Sequence, residues 1–349
     1  MAYTSVDNSE LYFQVKLFSG ANQAQSITFD GDENMKPDWV WIKSRNGSSR
    51  NHCLYDSVRG VTKRIETDTN IAEDNTAAQL TSFDTDGFTM GIGEADINSG
   101  GRTYVSWNWV ANGSTTSTNN DGSIASEVSV NSTSGFSIVT YTGTGSATSI
   151  GHGLGAKPDW ILSKLYSTTG DWNVYHDSFS NQERAKLNTT AAKTTNTSIY
   201  ASLPTASVIN VGSGGDINTD GGSHIFYCFK SVKGFSKFGS YKGNGNDDGV
   251  FIYTGFKPAF VITKQTNGGN HWHIHDNKRN LINVVNTQLK ADSDAADETP
   301  GSGENARDFL SNGFKFRDSD HNNQTHNYIY MAFAESPFVN SKGVPNNAR

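Results

Sequence analysis

A length of 349 residues leaves room for two or three domains, and a charged fraction of 18 % with net charge −7 argues against a phosphate-backbone partner. No apolar run approaches membrane-spanning length, and the start lacks the basic-then-apolar pattern of an export signal. Gly, Ser, Thr and Asn are abundant while Leu, Ala and Glu are not, the composition of a β-protein with many turns.

Residues 1–9 are a polar lead-in. Glu10 to Phe18 alternates Tyr12, Gln14 and Lys16 with Phe13, Val15 and Leu17, which is strand periodicity. Ser26 to Phe29 reads as a second strand. An acidic turn, Asp30-Gly31-Asp32-Glu33-Asn34, then leads to Lys36-Pro37-Asp38-Trp39-Val40-Trp41-Ile42-Lys43. Pro lacks an N–H and pushes its predecessor into extended backbone, so it suits the start of a strand. The following apolar residues predict a strand with most side chains buried. Short helical turns are expected at Arg59 to Arg64 and Thr76 to Leu80.

The Lys-Pro run recurs as Lys157-Pro158-Asp159-Trp160-Ile161-Leu162-Ser163-Lys164 and as Lys257-Pro258-Ala259-Phe260-Val261-Ile262-Thr263-Lys264. An aromatic-x-Gly precedes each copy, at Phe18-Ser19-Gly20, Tyr141-Thr142-Gly143 and Tyr241-Lys242-Gly243. An Asp ending an apolar run follows each copy, at Asp56, Asp177 and Asp276. Gly87-Phe88 and Gly313-Phe314 match one another, with Ser207-Val208 a weaker counterpart. Aromatic strands close the copies around Trp109, Phe229 and Phe333. These landmarks define an internal repeat. They divide the chain into unit 1 (1–112), a Gly/Ser/Thr/Asn-rich connector (113–133), unit 2 (134–233), unit 3 (234–338) and a polar tail (339–349). The connector carries Ile124, Val128 and Val130, which suit either a linker or a strand laid on a neighbour.

The expected fold is all-β: three similar β-sandwich-like, jelly-roll-like repeats in one chain, with pseudo-threefold packing inferred from repeat number alone. Trp39, Trp160, Phe260, Trp109, Phe229 and Phe333 are the expected core. Cys53 and Cys228 lie in different units and read as buried thiols.

Several stretches resemble proteins of tailed bacteriophages, many of them marine. They include Tyr12-Phe13-Gln14-Val15-Lys16-Leu17-Phe18-Ser19-Gly20, Leu54-Tyr55-Asp56-Ser57-Val58-Arg59-Gly60, Gly135-Phe136-Ser137-Ile138-Val139-Thr140-Tyr141-Thr142-Gly143 and Gly234-Phe235-Ser236-Lys237-Phe238-Gly239. The resemblance implies a virion structural protein of the tail-fibre kind, located in the particle after assembly in the host bacterial cytoplasm. Its partners would be other virion proteins of the tail or capsid and a host-surface glycan or receptor, within an oligomeric assembly. It implies no catalytic residue set and no cofactor.

Candidate chemistry is sparse. In His271-Trp272-His273-Ile274-His275-Asp276, strand alternation puts His271, His273 and His275 on one face. Two imidazoles two residues apart can hold Zn²⁺ if another ligand arrives, but a solvated or contact face without metal is the expectation. Acidic turns at Asp30/Asp32/Glu33, Asp84/Asp86, Asp247/Asp248 and Asp318/Asp320 lack the spacing of an EF-hand loop. The repeated Asp56, Asp177 and Asp276 suit a turn or cap at a strand end. Gly212-Ser213-Gly214-Gly215 and Gly151-His152-Gly153-Leu154-Gly155 read as turns.

Three functions are therefore carried forward: a tail-associated protein touching the host surface, a head decoration or cement protein, and a polysaccharide-trimming enzyme with paired carboxylates. The missing heptad shaft and collagen-like stretch weaken a long fibre and favour the second reading.

Overall fold

The computed structural model describes residues 3–76, 79–92, 95–299 and 305–346. The chain is all-β, with a single-turn 3₁₀ helix at Ser9–Leu11 and a short α-helix at Gly215–Asn218 as its helical elements among these residues. No helix among them is long and apolar enough to cross a membrane.

Three antiparallel sheets share one strand order. In the first, Phe13–Ser19 lies beside Thr103–Trp109, which lies beside Trp39–Ser44, then Cys53–Asp56, Lys63–Glu66 and Asp74–Asn75. The third runs Ser236–Lys242, Asn327–Pro337, Phe256–Gln265, His273–Asp276 and Leu289–Lys290 in the same sense. The second runs Phe136–Thr142, Ser223–Phe229, Trp160–Leu165, Asn173–His176, Glu183–Lys186 and Thr194–Thr195. Registers also correspond, with Trp39 opposite Trp109, Trp160 opposite Phe229 and Phe260 opposite Phe333.

Each large sheet is covered on one face by a smaller one. In unit 1 this contains Gln25–Ile27, Gly87–Met90 and Leu80–Asp84, in unit 2 Thr148–Gly151 and Val208–Val211, and in unit 3 Phe251–Tyr253, Gly313–Phe316 and Arg307–Leu310. The opposite faces of all three large sheets meet in one shared core. That is why the Lys-Pro strands are almost continuously apolar. Trp39 and Trp41 point into the shared core, while Val40 and Ile42 point between the sheets of their own unit. Trp109 and Phe229 both meet Phe333 at the centre, with ring centroids 5.5 and 5.8 Å away. Trp39, Trp160, Phe260, Trp109, Phe229 and Phe333 are all buried, as are both free cysteines.

The aromatic-x-Gly landmark has a steric cause. A Cβ on Gly20, Gly143 or Gly243 would sit 2.2, 2.2 or 2.0 Å from the carbonyl oxygen of Ser99, Thr219 or Gln324. Each of these glycines donates its N–H across to the last strand region of its unit, to Arg102, Gly222 or His326.

Some local expectations are corrected. The stretch expected to turn helically contains the strand Lys63–Glu66, because Ile65 and Glu66 are buried against the neighbouring strand. Thr76 to Leu80 lies partly outside the described residues. Glu10 belongs to the 3₁₀ turn before the first strand, and Gly215 opens the α-helix. Pro258 sits inside a strand, tolerated by a register shift on either side of it. The connector is no linker: Ser117–Asn119 and Ser126–Asn131 extend the second sheet, the latter pairing with Phe136–Thr142.

Candidate functional site

The polar residues that the sequence repeats converge on the junctions between units. Asp56 ends its strand opposite Trp39, and Asp276 ends its strand opposite Phe260. Each folds its chain back in the same way. Asp56 Oδ1 accepts the N–H groups of Val58 and Arg59 at 3.1 and 2.9 Å; Asp276 Oδ1 accepts those of Lys278 and Arg279 at the same two distances. Arg59 and Arg279 return Nε to Oδ2 of their aspartates, both at 2.6 Å, in fully buried ion pairs. Each aspartate also takes a donor from another unit. Tyr227 Oη of unit 2 donates to Asp56 at 2.7 Å, and Trp107 Nε1 of unit 1 donates to Asp276 at 3.1 Å.

Asp177 does not belong to this set. The residue opposite Trp160 is His176. Asp177 lies one position further, half exposed, in an ion pair with Lys157. The chain between the paired positions is one residue longer in unit 1 than in units 2 and 3, so counting from the Lys-Pro selects the wrong residue. His176 does the turn work instead, its Nδ1 accepting the Ser178 N–H at 3.0 Å. Phe179 stands where Arg59 and Arg279 stand, and Met331 holds the register of Tyr227 and Trp107. The whole polar constellation is thus exchanged for a less polar one. Burial pushes His176 down to about 4, so it is neutral.

The lysines closing the Lys-Pro strands form a second set. Lys43, Lys164 and Lys264 are buried. Each donates to one carbonyl of its own unit, at Ser44, Gly170 or Asn270, and to one of another unit. The outside acceptors are Asp294 (3.1 Å), Asn70 (3.1 Å) and Thr190 (2.8 Å), so unit 1 reaches unit 3, unit 2 reaches unit 1 and unit 3 reaches unit 2. Burial lowers all three lysines to about 8.

A third set runs around the molecule in the same direction. His52 Nε2 pairs with the Lys290 carbonyl at 2.9 Å, Trp172 Nε1 with that of Glu66 at 2.6 Å, and Trp272 Nε1 with that of Lys186 at 2.9 Å. Trp41 Nε1 donates to His52 Nδ1 at 2.8 Å, which fixes the proton of this buried ring on Nε2.

The histidine row is neither a solvent face nor a contact face. His271 precedes the strand, is partly exposed and pairs with Asp292 at 2.8 Å. His273 and His275 are fully buried between the sheets of unit 3. His273 Nδ1 meets Gln288 Oε1 at 2.6 Å. Neither ring nitrogen of His275 has a hydrogen-bond partner among the described residues. Beside them lies Arg307, also fully buried, with Phe316 5.0 Å from its guanidinium carbon. Asp318 and Asn322 complete this polar interior. Burial, and then Arg307, hold His275 well below the usual histidine range, and burial raises Asp318 to about 6.

The acidic turns have protein partners: Asp30 pairs with Lys16 and Asp248 with Lys315, Asp84 accepts the Ser82 and Thr89 hydroxyls, and Asp86 accepts the Met35 N–H. No three His, Cys, Asp or Glu side chains among the described residues are grouped to hold a metal.

A family described as a domain of unknown function, DUF7483, matches residues 8–337. The chain belongs to this family. Its match spans all three units and all three junction sets, so the family's domain is the complete three-unit body rather than one repeat. No curated protein and no solved structure matches the chain.

Sequence reasoning passed over Arg59, Arg279, His176 and Arg307. An Asp-x-x-Arg pattern in two of three copies marks the first two, and its absence after Asp177 marks the odd junction. Arg307 stands in no repeated pattern.

Proposed function

We propose that this chain is a non-enzymatic structural protein of a tailed-bacteriophage particle, associated with the tail and placed to contact the host surface. The observation that carries this reading is the fate of the repeated polar residues. Lys43, Lys164, Lys264, Asp56 and Asp276 all go to binding one unit to the next. A body whose units are tied cyclically by buried polar contacts around a common aromatic core suits a part that must hold its shape within a larger assembly. Unit 3 adds an apolar projection on its surface, with Leu281 and Ile282 exposed at 73 and 75 %, which suits contact with another particle protein. The phage resemblance of the sequence supports the setting.

Mass spectrometry of purified particles, with gold-labelled antibody against the chain, tests the proposal. The expected result is the chain in the particle and label at the tail. Label across the head would replace the tail assignment with a capsid decoration role. Absence from particles, or turnover of host polysaccharide by the purified chain, would overturn the structural reading.

A further inference from the structure

The interior of unit 3 carries an inference independent of where the protein resides. Arg307 faces Phe316 across its hairpin as Leu80 faces Met90 in unit 1, and both Arg307 and Leu80 are fully buried. His275 pairs with Val261 as Tyr55 pairs with Val40. Tyr55 hydrogen-bonds Gln79 at 2.7 Å, whereas His275 leans toward the Asn305 carbonyl without meeting hydrogen-bond geometry. Among the described residues nothing accepts from Nε, Nη1 or Nη2 of Arg307. Asp318, buried and close enough to influence Arg307, forms no ion pair with it; Oδ1 takes the Asp320 N–H at 3.0 Å, and among the described residues no donor meets hydrogen-bond geometry at Oδ2.

A guanidinium carries five N–H donors and a permanent charge. Buried without acceptors it strongly destabilises the fold. We propose that unit 3 binds a small monovalent anion, of halide or nitrate size, between the Arg307 guanidinium and the His275 ring.

Water could supply acceptors but would leave the charge uncompensated. A divalent oxyanion is disfavoured by the Asp318 carboxylate and by the full burial of Arg307, His273 and His275. The groups facing the site are Asp318 and His321 from the loop after Gly313–Phe316, His273 and His275 from their strand, Arg279 beyond His275, and Tyr241 from the first strand. Asp318 and the anion compete for the same positive charge. Protonating Asp318, which burial places at about 6, removes the competitor, so the anion binds more tightly on the acid side.

The test uses the full chain and bromide. Crystals soaked in sodium bromide at pH 5 are expected to show an anomalous peak beside Arg307. In solution, bromide is expected to raise the melting temperature relative to gluconate at equal ionic strength. Its apparent affinity should weaken as the pH rises through the Asp318 range, by no more than about tenfold per pH unit. Arg307→Leu, which installs the unit 1 residue, is expected to abolish the bromide-specific shift, and His275→Tyr to reduce it. Wild-type crystals with no bromide at Arg307 at pH 5 would overturn the proposal, whether or not the variants fold. So would an Arg307→Leu protein that keeps the full bromide-specific shift, because the effect would then belong to the surface.

Discussion

Between its two sheets, unit 1 buries Ile42, Cys53, Tyr55, Leu80 and Phe88; at the matching registers unit 3 buries Thr263, His273, His275, Arg307 and Phe314. The frame around these residues is the same in both, down to the distances of the Asp56–Arg59 and Asp276–Arg279 pairs. The two units therefore share the Asp–Arg turn and the closing lysine at their junctions, and differ most between their own sheets. A junction residue must satisfy geometry set by a neighbouring unit as well as by its own. An interior residue answers to one unit, so a polar interior can arise there without disturbing the packing of the three.

The largest effects should fall on the shared frame. Asp56→Ala and Asp276→Ala each remove one of the two carboxylates paired with a fully buried arginine, leaving Glu73 or Asp297 as its remaining partner, and are expected to cost about 3–5 kcal/mol in chemical denaturation. Costs differing several-fold between the two would break the equivalence of the junctions. Trp39→Ala and Phe260→Ala, which open the shared core, should each cost about 3–5 kcal/mol. If either were near neutral, the ring would not be part of a common core.

The interiors should respond oppositely. In halide-free buffer at neutral pH, Arg307→Leu is expected to stabilise the chain by about 1–4 kcal/mol, because a buried unpaired charge is replaced by the apolar residue unit 1 carries there. A loss of stability there would show that the polar interior of unit 3 is internally satisfied.

Smaller again is the effect of pH on the junction lysines. Burial lowers Lys43, Lys164 and Lys264 to about 8, below the unfolded value of about 10.4. Between these values the unfolded chain binds more protons, so stability rises with pH. Each neutral amine keeps two N–H groups for its two carbonyls. Melting temperature should climb from about pH 8 toward pH 10, where ionisation of tyrosines in the unfolded chain begins to oppose it. Lys164→Met should flatten that climb; an unchanged slope would place the lysine in water. Least of all, Asp177→Asn should cost about 0–1 kcal/mol, since Asp177 pairs at the surface with Lys157. A cost matching that of Asp276→Ala would restore Asp177 to the junction set.

Much of this fold was legible in the chain. The alternation of Tyr12 to Phe18 and the three Lys-Pro strands follow from local physics, strand periodicity and the missing proline N–H; the recurrence of Gly20, Gly143 and Gly243 was visible too, though the carbonyls that exclude a Cβ there lie far along the chain. The burial of Trp39, Trp160, Phe260, Trp109, Phe229 and Phe333 could be anticipated because large aromatics in apolar runs lose least by leaving water. A lysine closing all three runs was visible as well.

What those lysines do was decided by tertiary structure. Each reaches a carbonyl in a unit about a hundred residues or more away in sequence or in the unit just before it, and no local pattern encodes that meeting. The same holds for His176, whose place opposite Trp160 depends on the length of the chain between paired strands, not on residue type. It holds also for His273 and His275. Alternation put them on one face, but a smaller sheet formed by residues far along the chain covers that face and makes it an interior. Periodicity determines which side chains point together; what they point at is fixed only when distant strands pack against them.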